Sequence, residues 1–164
     1  MAGMISDIEG KLAAIVGNQN IHEDAELLAS YRQAGAVAGE MPIAVVRPAS
    51  PGEVKNLIDL ARKENLNLIF SSSSPPRFRG DTVPCGDGLI VDMSKMNRIV
   101  RMDRQNKVAL IEPGVTYADL VREAERVGLK VLLPLLPRQG KSVLAGCLER
   151  EPIIITKYHW DMTD

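Results

Sequence analysis

The sequence predicts a domain that mixes helices and strands, and three patterns along the chain support this prediction. A strand, a helix and a second strand between Ile43 and Phe70 predict a βαβ unit with parallel strands. Apolar runs at residues 99–103 and 107–112, joined by Arg104-Gln-Asn106, predict a hairpin. Apolar residues at helical spacing precede the βαβ unit and follow the hairpin. With 164 residues, the chain has the length of one ordinary domain with its own core.

Start and stop residues set the expected bounds of the elements before residue 71. Ser6-Asp-Ile-Glu9 and Ser50-Pro-Gly-Glu53 have the spacing of capping boxes, in which side chains satisfy the free N–H groups of a helix start. Gly17 is expected to stop the first helix and Pro48 to end the first strand, and residues 35–39 are expected to form a loop. The expected elements are helices over residues 7–16, 22–33 and 51–64 and strands over residues 43–47 and 66–70.

Similar signals describe the part of the chain after residue 88. Thr116 is expected to cap a helix, and Gly128 is expected to stop it. The remaining expected elements are strands over residues 89–92, 99–103, 107–112 and 129–133 and a helix over residues 142–149.

Composition excludes several classes of function. Lys and Arg number 20 against 21 Asp and Glu, so the chain lacks the basic surplus that is expected of a nucleic-acid-binding protein. Cys85 and Cys147 lie far apart, with no CxxC pair and no histidine near either, so neither a metal site nor a disulfide framework is expected. This cysteine usage predicts a cytoplasmic location. No run approaches the roughly 20 apolar residues of a membrane span.

Several segments in this order resemble a known family. They are Ala44-Val-Val-Arg-Pro-Ala-Ser-Pro-Gly-Glu-Val54, the polar loop Ser71–Gly80, Gly88-Leu-Ile-Val-Asp-Met-Ser-Lys-Met-Asn-Arg-Ile99 and Ile111-Glu-Pro-Gly-Val-Thr116. Together they resemble the FAD-binding domain of the FAD-linked oxidase superfamily, of the vanillyl-alcohol oxidase and glycolate oxidase subunit type. The resemblance implies an α+β fold of two small α/β subdomains with FAD as cofactor. Residues 1–40 would carry the leading helices, 41–112 the first subdomain and 113–164 part of the second, with no substrate domain.

The resemblance also implies which residues bind the cofactor. The polar loop would surround the FAD pyrophosphate, and two later segments would lie beside the cofactor. The residues implied for the loop are Ser71, Ser72, Ser73, Ser74, Arg77, Arg79 and Gly80. The residues implied for the later segments are Pro113, Gly114, Val115, Ser142, Val143 and Gly146.

The chain departs from the family pattern in this loop. The family loop is rich in glycine, because backbone N–H groups must approach phosphate oxygens closely. Here four serines, Ser71 to Ser74, stand instead. Their hydroxyls, with Arg77 and Arg79, offer replacement donors, whereas the alternative is a solvated turn with two surface arginines. The pyrophosphate loop is therefore expected to be degenerate: either it follows a path different from that of the family, or it binds FAD weakly or not at all.

Other departures concern the later segments. Leu144 and Ala145 occupy the approximate positions of paired glycines in the family. Cys147 is expected to be a small buried hydrophobe, with a covalent flavin link as the alternative. His22 is expected to be exposed or to cap a helix, and His159 is expected to lie at a surface or interface. No catalytic residue is identified.

Two functions remain open from the sequence. The first is the FAD-binding module of an oxidoreductase that acts on hydroxy acids or alcohols, with another subunit or further sequence supplying the substrate domain. The second is a non-catalytic descendant that serves as an assembly or regulatory subunit. Self-association or a partner subunit is expected in either case. A Rossmann-type NAD domain is excluded, because Arg47-Pro-Ala-Ser-Pro-Gly52 lacks the G-x-G-x-x-G spacing.

Overall fold

The computed structural model describes residues 2–34, 37–73, 83–84, 88–133 and 139–148. These residues form two compact units. The first unit contains the described residues up to Ser71 and those from 83 to Lys95, and the second contains Ser72, Ser73 and the described residues from Met96 onwards. The second unit therefore includes the predicted hairpin.

Helices and strands are mixed, as the sequence predicts. The helices are α1 (Ala2–Val16), α2 (Ala25–Arg32), α3 (Pro51–Glu64), α4 (Tyr117–Arg126) and α5 (Val143–Leu148). The strands are β1 (Ile21–His22), β2 (Gln33–Ala34), β3 (Val37–Ala38), β4 (Ala44–Val46), β5 (Asn67–Ser71), β6 (Gly88–Asp92), β7 (Ile99–Asp103) and β8 (Val108–Ile111).

The first unit is built on a four-stranded sheet with the order β1-β4-β6-β5. Strands β4 and β5 both run parallel to β6, which lies between them, and β1 pairs antiparallel with β4. This arrangement confirms the predicted βαβ unit. Strand β6 is buried along its whole length, as is typical of a parallel strand that is covered on both faces. The core beside it contains Leu28, Tyr31, Val45 and Ile90.

Helix α3 begins at the residue that the capping signal predicts. The Glu53 N–H donates to Ser50 Oγ at 3.3 Å, and the Glu53 carboxylate accepts from the Ala49 N–H at 2.8 Å. At the other end, Asn65 takes a left-handed conformation with φ of 53°. Asparagine tolerates this region better than most residues, so the helix ends there without a glycine.

The first helix is longer than its predicted bounds. It starts at Ala2, so Ser6 lies inside α1 and the predicted capping box at Ser6 is wrong. The segment before Ser6 contains good helix formers such as Ala and Met, which lets the helix extend towards the N-terminus. Gly17 ends α1 as predicted, with φ of 81°, a region that favours glycine.

The predicted start of the second helix at His22 is also wrong. His22 lies in β1, where it pairs with Val45, and pairing with a neighbouring strand overrides the local helical spacing. Asp24 caps α2 instead, because its Oδ1 accepts from the Leu27 N–H at 2.9 Å. The predicted loop at residues 35–39 contains β3, which pairs antiparallel with β2.

Among its described residues, the second unit contains the predicted hairpin and the helices α4 and α5. Strands β7 and β8 pair antiparallel with a bulge between Ile99 and Arg101. Thr116 caps α4 as predicted, and Asp119 completes the capping box. The core of this unit contains Val115, Tyr117, Leu120 and Val143.

One predicted strand of the second unit is wrong. Residues 129–133 form no regular element. The side chains of Val131 and Leu133 nevertheless pack against the core of the unit. This burial accounts for the apolar residues of the segment, but apolar residues do not by themselves provide a strand partner.

Candidate functional site

Three serines meet in the second unit, and we name this group, Ser72, Ser73 and Ser142, the serine clamp. Ser72 Oγ lies 2.7 Å from Ser142 Oγ, although the two residues are 70 positions apart in the sequence. Ser73 Oγ donates to Ser142 Oγ at 3.3 Å and accepts from the Ser142 N–H at 2.9 Å. Ser142 is fully buried, whereas Ser72 and Ser73 are half-buried. The structure thus brings together parts of two segments that the resemblance assigns to the cofactor.

Ser142 is held in place by its neighbours in the second unit. It forms an isolated bridge with Thr116, directly before α4. Its hydroxyl oxygen accepts from the Ala145 N–H at 3.0 Å, in the first turn of α5. The Val143 N–H donates to the Val115 oxygen at 2.9 Å. The starts of α4 and α5 therefore fix the position of the clamp.

The segment after β8 is also ordered by hydrogen bonds of its own backbone. The Gly114 N–H donates to the Met96 oxygen at 2.8 Å, and the Val115 N–H donates to the Glu112 oxygen at 3.1 Å. Gly114 and Val115 are buried, and Pro113 is half-buried. Val115 and Val143 share one hydrophobic cluster. Two of the predicted site residues thus have a role in the core of this unit.

An ion pair fixes the start of this segment. Arg98 Nη2 lies 2.6 Å from Glu112 Oε1, and the Arg98 N–H donates to Glu112 Oε2 at 2.8 Å. These contacts with Arg98 hold the pKa of Glu112 below its ordinary value. Glu112 is therefore a charged anchor for the turn that carries Pro113.

Gly146 has a packing role that the sequence does not reveal. A Cβ atom at this position would lie 2.8 Å from Cε2 and 3.0 Å from Cζ of Tyr117. Glycine therefore lets α5 approach the ring of Tyr117 closely. Leu144, in an approximate glycine position of the family, is exposed, and Ala145 is half-buried. Cys147 packs against the core but is half-buried rather than fully buried, and this partial burial raises the pKa of its thiol.

The described serines avoid the backbone cost that a glycine-like path would impose. Among the described residues other than glycine, only Asn65 and Lys107 have positive φ. Ser71, Ser72 and Ser73 therefore lie outside the left-handed region, in which such a residue costs roughly 1–2 kcal/mol. Ser71 ends β5 in the first unit, where it is buried and pairs with Asp92 of β6. The predicted site residues Ser74, Arg77, Arg79 and Gly80 lie outside the described residues.

A polar cluster in the first unit was not predicted from the sequence. Arg47 Nε donates to Asp92 Oδ2 at 2.9 Å, and Arg47 Nη1 lies 3.3 Å from His22 Nε2. The Lys95 ammonium donates to the side-chain oxygen of Asn20. Burial, followed by the charges of Arg47 and Lys95, lowers the pKa of His22. Arg47 directly follows β4 and Asp92 ends β6, and the shared edge of these parallel strands is the signal that would have grouped the two residues.

Comparison with known proteins identifies the family. A family model described as an FAD-binding domain matches residues 42–148, which is more than half of the chain. The chain belongs to this family of FAD-binding domains. The resemblance stated from the sequence and the α+β fold class are therefore confirmed, and FAD is the cofactor of the family.

Individual relatives agree with this assignment. An uncharacterized FAD-linked oxidoreductase of Mycobacterium tuberculosis is 28% identical over 128 residues, which cover 77% of this chain and 28% of the relative. The glycolate oxidase subunit GlcD of Bacillus subtilis is 27% identical over 125 residues, which cover 75% of this chain and 26% of the relative. The chain thus spans roughly a quarter of the length of these curated relatives.

A solved structure supports the fold. The crystal structure of p-cresol methylhydroxylase with bound substrate has a TM-score of 0.80 to this chain and 21% sequence identity. The match covers 92% of this chain and 30% of that protein. At this level of identity the likeness supports the fold alone.

The residues of the serine clamp fit the cofactor of the family. FAD carries an anionic diphosphate, whose oxygens accept hydrogen bonds from hydroxyl and backbone N–H groups. The clamp joins the Ser72 and Ser73 hydroxyls, at the loop that the resemblance assigns to the pyrophosphate, to Ser142 of the later segment. Ser72 is half-buried, so its side chain retains access to a ligand.

The described part of the chain offers neither a membrane span nor a cluster of metal ligands. None of its helices has the length and apolar character that a membrane span requires. Its His, Cys, Asp and Glu residues form no group of three or more that could hold a metal ion.

Proposed function

We propose that this chain is the FAD-binding module of a flavin-dependent oxidoreductase of the hydroxy-acid or alcohol oxidase and dehydrogenase type. The family match over residues 42–148 carries the proposal, and the serine clamp supports it, because it joins two segments assigned to the cofactor. When bound, FAD supplies the acceptor for the hydride of the substrate. The residues of this chain bind and orient the diphosphate.

The substrate class is proposed from the names of the relatives. One of them is named as a glycolate oxidase subunit, and glycolate is a hydroxy acid. No described residue of this chain is assigned as a catalytic base. We therefore propose that the reacting carbon is bound by another polypeptide or by further sequence.

We also propose that the chain self-associates or binds a partner subunit. The hairpin carries three large apolar side chains that are more than half exposed: Val100, Val108 and Leu110. A two-stranded hairpin is marginally stable alone, and an apolar face of this kind is typical of an interface. A cytoplasmic location remains a proposal, which rests on the absence of a disulfide framework in the cysteine spacing.

The alternative function is a non-catalytic assembly or regulatory subunit. The observation that favours it is the serine clamp itself, because its hydroxyls already bond to one another and could stabilise the fold without a ligand. On this alternative the clamp is a structural replacement for a lost phosphate site.

A flavin titration separates the two functions. We expect the purified chain to carry flavin absorbance, or to quench flavin fluorescence when FAD is added. NAD serves as a control dinucleotide and should not compete, since the Rossmann spacing is missing. Purified chain that stays colourless and leaves FAD fluorescence unchanged at saturating protein would reject the proposed function and favour the alternative.

A further inference from the structure

We propose that the serine clamp presents the Ser72 hydroxyl as a hydrogen-bond donor to an anionic diphosphate oxygen, with Ser73 and Ser142 as positioning residues. This inference rests on the proposed FAD-binding function and assigns separate roles within it. The resemblance alone would place all three serines beside the cofactor. The hydrogen-bond geometry distinguishes the serine that contacts the ligand from the two that position it.

The direction of the hydrogen bonds follows from the capacity of the Ser142 hydroxyl. A hydroxyl has one proton to donate and two lone pairs that accept. Ser142 Oγ accepts from the Ala145 N–H at 3.0 Å and from the Ser73 hydroxyl at 3.3 Å, so both lone pairs are used. Its own proton therefore points to Ser72 Oγ, 2.7 Å away.

Ser142 has no hydrogen-bonding group left for a ligand. Its N–H donates to Ser73 Oγ at 2.9 Å, and its hydroxyl is occupied on all sides. The residue is also fully buried. A direct contact between Ser142 and a phosphate would require at least one of these bonds to break inside the core of the unit, which is costly for a buried polar group.

Ser72 stands at the outer end of this chain of hydroxyls. Its oxygen accepts from Ser142, so its own proton remains available within the described part of the chain. The side chain is half-buried, which gives that proton access to a ligand. A hydroxyl that already accepts a hydrogen bond is polarised and donates more strongly.

The chemistry of this donor indicates the class of ligand. A hydroxyl proton needs an acceptor, and the bond is stronger when the acceptor is ionised. The three hydroxyls are neutral, so they stabilise an anion through their dipoles and not through a net charge. A diphosphate oxygen accepts hydrogen bonds and is ionised, and FAD contains a diphosphate.

The test measures FAD affinity of the full 164-residue chain by fluorescence titration. We expect Ser72→Ala to weaken binding about tenfold, because it removes a hydrogen bond to a charged acceptor. Ser72→Thr keeps the hydroxyl at a half-buried position and should bind FAD with an affinity within about threefold of the wild type.

The positioning role of Ser142 has its own test. Ser142→Ala should also weaken FAD binding, and adding it to Ser72→Ala should change the affinity by less than about twofold, since both substitutions act on one donor. Ser30→Ala, in α2 of the first unit, is the matched control and should have no effect on affinity.

Two further measurements make the outcome decisive. ADP, which has a diphosphate, should lose affinity for Ser72→Ala by the same factor, whereas riboflavin, which has none, should bind both forms equally. Circular dichroism and thermal melting of the flavin-free variants show whether each variant is folded. If Ser142→Ala is unfolded, the FAD affinity of Ser72→Ala alone tests the inference. If the wild-type chain binds FAD and the Ser72→Ala variant binds it with the same affinity, the inference is overturned and the proposed function stands. Wild-type chain that binds no FAD would overturn both.

Discussion

Replacing Gly146 by alanine should destabilise the second unit, although alanine is the better helix former. The new methyl group would lie 2.8 Å from Cε2 of Tyr117, whereas carbon atoms in contact favour about 3.5–4.0 Å. Tyr117 is only 2% exposed, so its ring has little room to move away. Overpacking of this kind costs about 1–3 kcal/mol, and helix propensity returns up to about 1 kcal/mol. Because several ring atoms of Tyr117 would be crowded at once, we take the upper part of that range, about 2–3 kcal/mol, and expect a net loss of about 1–2 kcal/mol in the free energy of unfolding.

Gly10→Ala is the matched control for this prediction. Gly10 lies inside α1, and a Cβ atom there would have no neighbour within 4 Å. The same substitution should therefore stabilise the chain by about 0.5–1 kcal/mol. Urea denaturation followed by circular dichroism measures both changes. If the Gly146→Ala variant is as stable as the wild type, or more stable, the packing role of Gly146 is refuted.

Three other measurements test separate parts of the structure. Burial and the charge of Arg47 lower the pKa of His22, so the folded state binds this proton less readily than the unfolded chain, and the first unit should lose stability as pH falls below 6.5. His22→Gln should remove this dependence in denaturation experiments at several pH values. Thr116→Ala should lower the free energy of unfolding by about 1 kcal/mol through loss of the α4 cap, with thermal melting as the measurement. Leu110→Lys should reduce self-association in light scattering, and unchanged association would place the interface elsewhere.

Elements that depend on local chemistry could be predicted from the sequence. The start of α3 follows from Ser50 and Glu53, and the start of α4 follows from Thr116, because each cap uses residues within one turn. The hairpin also depends on neighbours in the sequence. Such features are encoded in a few adjacent residues, so spacing alone identifies them.

Features that depend on distant partners could not be predicted in the same way. His22 joins a sheet because Val45 offers a strand edge, and the local spacing carries no sign of that partner. The serine clamp joins residues 70 positions apart. Four serines in a row are also typical of a solvated turn, so the loop sequence could not distinguish the two arrangements. Only the position of Ser142 in the fold does so.

Serines and glycines offer phosphate donors in different ways. Glycine permits positive φ, which lets backbone N–H groups approach the phosphate closely. Ser72 and Ser73 lie outside that region of φ, and on the proposed mechanism a side-chain hydroxyl replaces the backbone donor. The orientation of that hydroxyl then depends on Ser142, which is buried in the core of the second unit. A change in the core could therefore alter FAD affinity without any change in the loop, and this distinguishes a clamp of serines from a loop of glycines.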